Sequence, residues 1–448
     1  MKDDSDMGYI GSLRPDQEKK LQQLWALLLA SFNFQHDAET DLAQDPGSPV
    51  VAPSIRTPSI RSLSIKQTSS HKQVDVDKRA VKEDVKSLAK DMRDTWINML
   101  KQEDPDVILL RFLRNRKWDI TQAFSLLNSA FVWRCKEAHV DDEIIPQGES
   151  WCVTREKLRM GKVFIHGTDN CGRPIVYIKV KIHKPGAQSE GTLDTLIVHT
   201  IETARCLLAP PVESFCVVFD LTRFTLSNME WHPVKFIIRS FESNYPECLG
   251  VALIHNAPRI FEGIWKVIRG LLSPRLAAKV TFTRGTEGLE KYIPKENILA
   301  SMGGAEQWQY QYHEPSDDDD GIMLWADARN RLLEERQDIA TRLFAATQLW
   351  IDYQENGDDD MSALQQQLRT EYKEELRVNY WALDPYVRCR TQMDRLGIIS
   401  PGGMIDPYPE RKGSLMENTS GVRLIDDVED DGGGSGLTTP WGSVAVVY

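Results

Sequence analysis

The stretch NYPECLGVALIHNAPRIFEGIWKVIRGLLSPRLAAKVTF, residues 244–282, holds two short apolar runs separated by a helical period. VALIHN (251–256) and KVTF (279–282) are continuous enough to be buried strands. Between them, Ile260, Phe261, Ile264, Trp265, Ile268 and Leu271 or Leu272 recur on one broad face, with Lys266 and Arg269 off it. Strand, helix and strand in that order read as a parallel pair joined by a right-handed crossover. Working upstream, CVVFD (216–220) is a further apolar run, with helical stretches around 192–209 and 232–243. Before these, KVFIHG and RPIVYIKV alternate around a DNCG turn and read as a β-hairpin. Residues 150–312 are therefore expected to be α/β, a mainly parallel sheet flanked by helices.

On the N-terminal side, residues 85–140 return to a helical period. Asp119 followed by Gln122 is a capping-box signature, so one helix should stop near Arg116 and the next start at Ile120. Arg116, Lys117 and Trp118 then form the corner of a helical hairpin. Residues 36–84 are rich in Ser, Pro and Thr and cannot bury enough apolar area to offset chain entropy, so a disordered insert is expected. It separates the hairpin from an N-terminal helix within 8–35, where Leu21, Leu24, Trp25, Leu28 and Phe32 share a face. Ser48-Pro49 and Thr57-Pro58 read either as phosphosites or as parts of a plain linker. On the C-terminal side, 321–398 reads as a charged helical extension and 399–448, with its GGGSG, as a disordered tail.

The 448 residues carry a net charge of −12, unevenly placed: residues 313–448 hold 27 acidic against 13 basic side chains. No basic run interleaved with aromatics appears, which argues against a nucleic-acid partner. Seven scattered cysteines form no C-x-x-C, the pattern of reduced thiols in a cytoplasmic protein. The acidic clusters 317–320 and 358–360 read as solvated loops. The α/β part contains no dinucleotide fingerprint, phosphate loop, zinc-protease or nucleophile-elbow motif, so neither an enzyme nor a metal site is expected.

What remains is a charge arrangement. Glu247 lies just ahead of one strand and Lys279 opens another. If those strands run parallel, both side chains reach the same edge of the sheet. The residues alone leave two readings open, a structural salt bridge or a ligand site. The 260–272 helix is likewise either a core-packed crossover or a lid that closes a cavity and meets a bilayer.

Taken together, LLRFLRNRKWD (109–119), GRPIVYI (172–178), VVFDL (217–221), NYPECLGVALIHNAP (244–258), IFEGIWKVIRGLLSP (260–274), KVTF and YIPKENILASMGG (292–304) resemble the CRAL-TRIO lipid-binding family, and within it the fungal phosphatidylinositol transfer proteins. GYIGSLRPDQEKKLQQLW (8–25) is similar to the start of members whose N-terminal helical part is split by an insert. NYWALDPYVRCRTQMDRLGII (379–399) resembles a C-terminal helical extension of a subset.

The resemblance implies a cytoplasmic protein that acts peripherally on membranes, holding one lipid in a gated pocket and exchanging it between bilayers. It implies no cofactor. Phosphatidylinositol is the ligand it suggests, with a sterol or another apolar lipid as the alternative, and a lipid kinase as the partner if the chain presents lipid without transferring it. The headgroup residues it implies are Arg116, Lys117, Glu247 and Lys279. The gate residues are Phe261, Ile264, Trp265, Ile268 and Leu272, with Trp265 and Phe261 inserting into the bilayer beside Lys266 and Arg269. Phe215 and Val217 stand where members that also carry phosphatidylcholine have Ser and Thr. An apolar pair there leaves a second phosphate without partners.

Overall fold

The strand runs become five strands: β1 (Val163–Thr168), β2 (Pro174–Lys179), β3 (Phe215–Asp220), β4 (Leu249–His255) and β5 (Val280–Thr283). They form one sheet in the order β1-β2-β3-β4-β5, antiparallel between β1 and β2 and parallel thereafter. The computed structural model describes residues 8–32, 90–150, 152–316 and 318–411, so all of the insert expected at 36–84 and all of 412–448 lie outside the described residues.

Alternation along the strands decides what each face of the sheet meets. Phe164, Ile175, Tyr177, Cys216, Val218 and Leu253 face a core closed by Leu289, Ile293 and Ile298. Their neighbours Val176, Phe215, Val217 and Ala252 face the other way, toward the helices of the crossovers.

Ahead of the sheet lie α1 (Pro15–Ser31), α2 (90–100), α3 (Pro105–Asn115) and α4 (Ile120–Val132), then the short α5 (Ile145–Gln147) and α6 (Cys152–Arg159). The corner is as the capping signature requires. Asp119 is the N-cap of α4, accepting from the Gln122 backbone N–H at 2.9 Å and from its side-chain amide at 2.9 Å. The crossovers are α7 (Glu190–Cys206), α8 (Trp231–Arg239) and the pair α9 (Phe261–Leu271) and α10 (Pro274–Ala278); α11 (Gly285–Glu290) follows β5.

The extension is two long antiparallel helices, α12 (Ala326–Asn356) and α13 (Asp359–Val387), followed by α14 (Gln392–Arg395). Ile339, Leu343, Phe344 and Trp350 of α12 share a single core with Leu24, Trp25, Leu28, Trp96 and Leu109. At its centre Asp106 accepts from Trp25 Nε1 at 2.6 Å, from Arg369 at 2.6 Å and from Lys373 at 3.0 Å. Burial pushes the Asp106 carboxyl up, but the charges of Arg369 and Lys373 and the Trp25 hydrogen bond hold it well below the usual range. A second buried set joins the bundle to α7: Glu202 pairs with Lys101, Arg134 and Arg205, and Glu103 with Arg111 and Arg205.

Two details depart from the sequence reading. Asp320 is not simply solvated, because it accepts from the Arg390 backbone N–H at 2.8 Å and from the Cys389 thiol. Residues 399–405, assigned to the tail, form a small antiparallel hairpin, β6 (Ile399–Ser400) with β7 (Met404–Ile405), and Ile399 is buried.

Candidate functional site

The parallel register of β4 and β5, Ala252 opposite Val280, sets the N-terminal ends of both strands at one edge of the sheet. Glu247 sits two residues before β4 in the left-handed backbone region, φ +61°. A non-glycine residue held there costs on the order of 1 kcal/mol, a cost found mainly where geometry serves a site. Lys279 is the C-cap of α10 and precedes β5. Its Nζ donates to Glu247 Oε2 at 3.0 Å and to the Leu249 carbonyl at 2.7 Å, so it braces the turn as well as the carboxylate.

Arg275 donates from Nε to the other Glu247 oxygen. Sequence reading missed it, although it lies four residues before Lys279, the spacing that puts two side chains on one helical face. The signal was hidden because α10 is a single short turn between a Pro and a strand.

Burial pushes the Glu247 carboxyl up, but the Arg275 hydrogen bond and the charges of Lys279 and Arg275 overcome it and bring the pKa down to about 2. Burial lowers the Lys279 pKa against the opposing pull of Glu247. The cluster thus presents one carboxylate and two cations. Arg275 remains partly exposed at 41 %, while Glu247 is buried to 8 %.

Arg116 and Lys117 lie at the corner between α3 and α4. No hydrogen bond or ion pair among the described residues links either to Glu247 or Lys279; Arg116 bonds to its neighbour Asn115, and Lys117 is exposed at the corner. The corner reaches the cluster through the N-terminal segment instead. Arg114 donates to the Gly8 carbonyl at 3.0 Å, its guanidinium lies 4.4 Å from the Tyr9 ring centroid, and Tyr9 is close enough to Arg275 to interact with it electrostatically. Gly8 has to be glycine: at φ +71° an added Cβ would fall 2.2 Å from a ring carbon of Trp118.

Beside the cluster, between the sheet and helices α7, α8 and α9, lies a cavity. It encloses about 1600 Å³ of space free of protein atoms, part of it open to solvent, and its lining is almost wholly apolar. Phe215 and Val217 line it from β3, and Leu249, Leu276 and Val280 carry the wall to the edge where Glu247 and Lys279 sit. Phe261, Trp265, Ile268 and Leu272 close it from outside, whereas Ile264 packs with Phe224 and Ile254 at its flank.

The expected gate residues Phe261, Trp265, Ile268 and Leu272 thus line the cavity. Phe261 is buried at 7 % and stands edge-on to Phe224, and Trp265 stands edge-on to Phe282, so both point inward or along the wall. The apolar side chains turned to solvent are Ile260, Val267 and Leu271, with Phe282 beside them.

The chain matches the CRAL/TRIO domain over residues 158–304 and the CRAL/TRIO N-terminal domain over 71–129. It is 40% identical over 302 residues to a CRAL-TRIO domain-containing protein of Schizosaccharomyces pombe, covering 67% of each chain. It is 32% identical over 433 residues to the phosphatidylinositol transfer protein CSR1 of Eremothecium gossypii, covering 88% of this chain and 98% of the relative. The crystal structure of Sfh5 aligns with a TM-score of 0.38 at 14% identity over 48% of this chain and 77% of that one, a likeness too slight to carry an argument. No helix among the described residues is long and apolar enough to cross a membrane.

Proposed function

Because the chain belongs to the CRAL-TRIO family, whose members bind lipids, we propose that it takes up phosphatidylinositol and moves it, one molecule at a time, between membranes. The observation that supports this most strongly is the juxtaposition of an apolar cavity with the Glu247–Lys279–Arg275 cluster at its edge. A phosphodiester takes hydrogen bonds from cations, and inositol hydroxyls donate to a carboxylate. The cluster offers both. The acyl chains go to the cavity, and the headgroup stays at the sheet edge, where Arg275 is accessible. Arg116 and the exposed Lys117, at the corner that Tyr9 links to the cluster, add further cations for an anionic headgroup.

A gate follows from magnitudes. A diacyl lipid drawn through water exposes roughly thirty methylenes at about 0.8 kcal/mol each, or about 25 kcal/mol in all. The chains therefore pass from bilayer to cavity without crossing water, which requires a wall that opens at the membrane. Helix α9 fits that role. Its inner side closes the cavity, and the exposed Ile260, Val267 and Leu271 accompany Lys266 and Arg269 on its outer side, apolar and basic groups suited to an anionic bilayer surface.

Phosphatidylcholine is a poor ligand on this reading, because Phe215 and Val217 offer no partner to a phosphate inside the cavity. The decisive experiment is transfer of labelled phosphatidylinositol between two vesicle populations by the pure protein with no kinase present. Transfer of phosphatidylinositol well above that of phosphatidylcholine is expected. Binding without transfer points to a scaffold that presents lipid to a kinase and removes the gate from the account.

A further inference from the structure

Residues 245–248, Tyr-Pro-Glu-Cys, close on themselves: the Cys248 N–H donates to the Tyr245 carbonyl at 3.3 Å. Proline in second place and a left-handed residue in third, Glu247 at φ +61°, make this a type II turn. Glycine ordinarily fills the third place, because a side chain there crowds its own backbone. The Glu247 carboxylate is therefore presented by a backbone shape that its own residue type resists. Such a shape persists only where the surroundings fix the turn at both ends.

Both ends are fixed. After the turn, the Cys248 carbonyl accepts from the Phe215 N–H of β3 at 2.9 Å, which ties it to the sheet. Before it, Tyr245 is buried, stands edge-on to Trp133 with 5.6 Å between ring centroids, and donates its hydroxyl to Glu202 Oε1 of α7 at 2.7 Å. Glu202 is held in turn by three cations. Lys101 Nζ lies 2.5 Å from Oε2, Arg134 donates to Oε1 at 2.7 Å, and Arg205 donates to both oxygens at 3.2 Å. Burial pushes the Glu202 carboxyl up, but the charges of Arg134, Lys101 and Arg205 overcome it and keep it ionised. Burial and the Glu202 charge keep the Tyr245 phenol protonated, so the bond between them is charge-assisted with its donor and acceptor fixed. The anchor belongs to the bundle, since Arg205 also donates to the Met99 carbonyl at 2.8 Å and Arg336 of α12 to the Lys101 carbonyl at 2.8 Å.

With three cations around it, Glu202 is satisfied without Tyr245. What the phenol bond adds is on the tyrosine's side: it fixes the point at which the turn begins. We propose that Tyr245 and Glu202 are positioning residues of the headgroup site, which set the place and direction of the Glu247 carboxylate through the type II turn without bonding to it. The same helix α7 lines the cavity with Leu193, Leu196, Ile197 and Ile201, so one element places both the wall for the acyl chains and the acceptor for the headgroup. The inference rests on the reading of Glu247 as the acceptor for the inositol hydroxyls and adds to it the residues that aim it.

The test is a double-variant cycle in phosphatidylinositol binding by the intact protein, titrated with phosphatidylcholine vesicles that carry pyrene-labelled phosphatidylinositol. Tyr245→Phe removes the hydroxyl, keeps the ring against Trp133 and leaves Glu202 among its three cations. It is expected to weaken binding about fivefold to tenfold, with the urea midpoint close to that of the wild type. In the Glu247→Ala background the same change is expected to alter binding by less than about twofold, because no carboxylate is left to aim. If Tyr245→Phe fails to fold, Glu202→Asp, which keeps the charge and withdraws the oxygen by one methylene, takes its place with the same expected outcome. Binding by folded Tyr245→Phe within about twofold of the wild type, or an equal loss in both backgrounds, overturns the positioning role and leaves a structural hydrogen bond. Either result, with phosphatidylinositol taken up by the wild type, spares the transfer reading. A wild type that takes up no phosphatidylinositol ends that reading and the inference with it.

Discussion

In the helical bundle, Trp25, Trp96 and Trp350 are each exposed by 1 % or less, whereas α8 has no buried side chain and α9 buries only Phe261. Both regions are made of amphipathic helices in one chain. In the bundle the apolar faces of α1, α3, α4 and α12 meet each other, and the carboxylate at their centre is paired, Asp106 with Trp25, Arg369 and Lys373. In α8 and α9 the apolar faces meet a cavity. The bundle is a core completed by protein. The wall of α8 and α9 borders space that no side chain fills, and the proposed function makes it the moving part against the frame of the bundle.

The largest expected effect lies in the frame. Asp106→Ala leaves the buried Arg369 without its anion and Lys373 with Asp104 alone, and should lower unfolding free energy by about 3–5 kcal/mol in urea titration. A loss under about 1 kcal/mol would mean that the extension is not part of the frame. Next comes a matched pair of truncations. Leu343→Ala in the bundle should cost about 2–5 kcal/mol, whereas Ile268→Ala on the cavity wall should cost under about 1 kcal/mol in lipid-free protein. Similar losses at the two positions would erase the distinction.

A pH dependence sharpens the comparison further. Lys162 has its pKa lowered by burial to about 8 from an ordinary 10.5. Between those values the unfolded chain holds a proton that the folded one has released, so this residue makes stability rise as pH increases from about 8 to 10.5. Relative to Lys162→Met, the wild type should gain on the order of 2 kcal/mol across that window; parallel curves for the two proteins would show that Lys162 is not desolvated. The smallest change is kinetic. Trp265→Glu, on the gate, should slow lipid transfer about tenfold, roughly 1.4 kcal/mol, with the urea midpoint nearly unmoved. Undiminished transfer counts against α9 as the gate.

The strands, their parallel order and the Asp119 corner were legible because each is written in local pattern: apolar runs, a turn, a capping pair. The meeting of Glu247 and Lys279 was legible one step further, since parallel strands begin at one edge. What was not legible depends on distant packing. Trp25 and Arg369 meet at Asp106 across 81 and 263 residues, and no periodicity announces such a contact. Tyr9 linking Arg114 to the cluster, and Lys162 meeting His183 and Glu230 inside the cavity, are of the same kind. Arg116 and Lys117, placed in the headgroup site by resemblance, make no bond to Glu247 among the described residues, and Arg275, which does, carried no visible signal in the sequence. Helix α9 shows a different limit: spacing named its apolar face but could not say whether that face met a packed core or a cavity.

The most direct test is the lipid content of the intact protein after incubation with mixed liposomes, measured by mass spectrometry beside the Glu247→Ala/Lys279→Ala double variant. The account predicts one phosphatidylinositol per wild-type chain and its loss from a variant that remains folded. Phosphatidylinositol retained undiminished by the variant, or absent from the wild type, would contradict it and return Glu247, Lys279 and Arg275 to the role of a structural ion cluster.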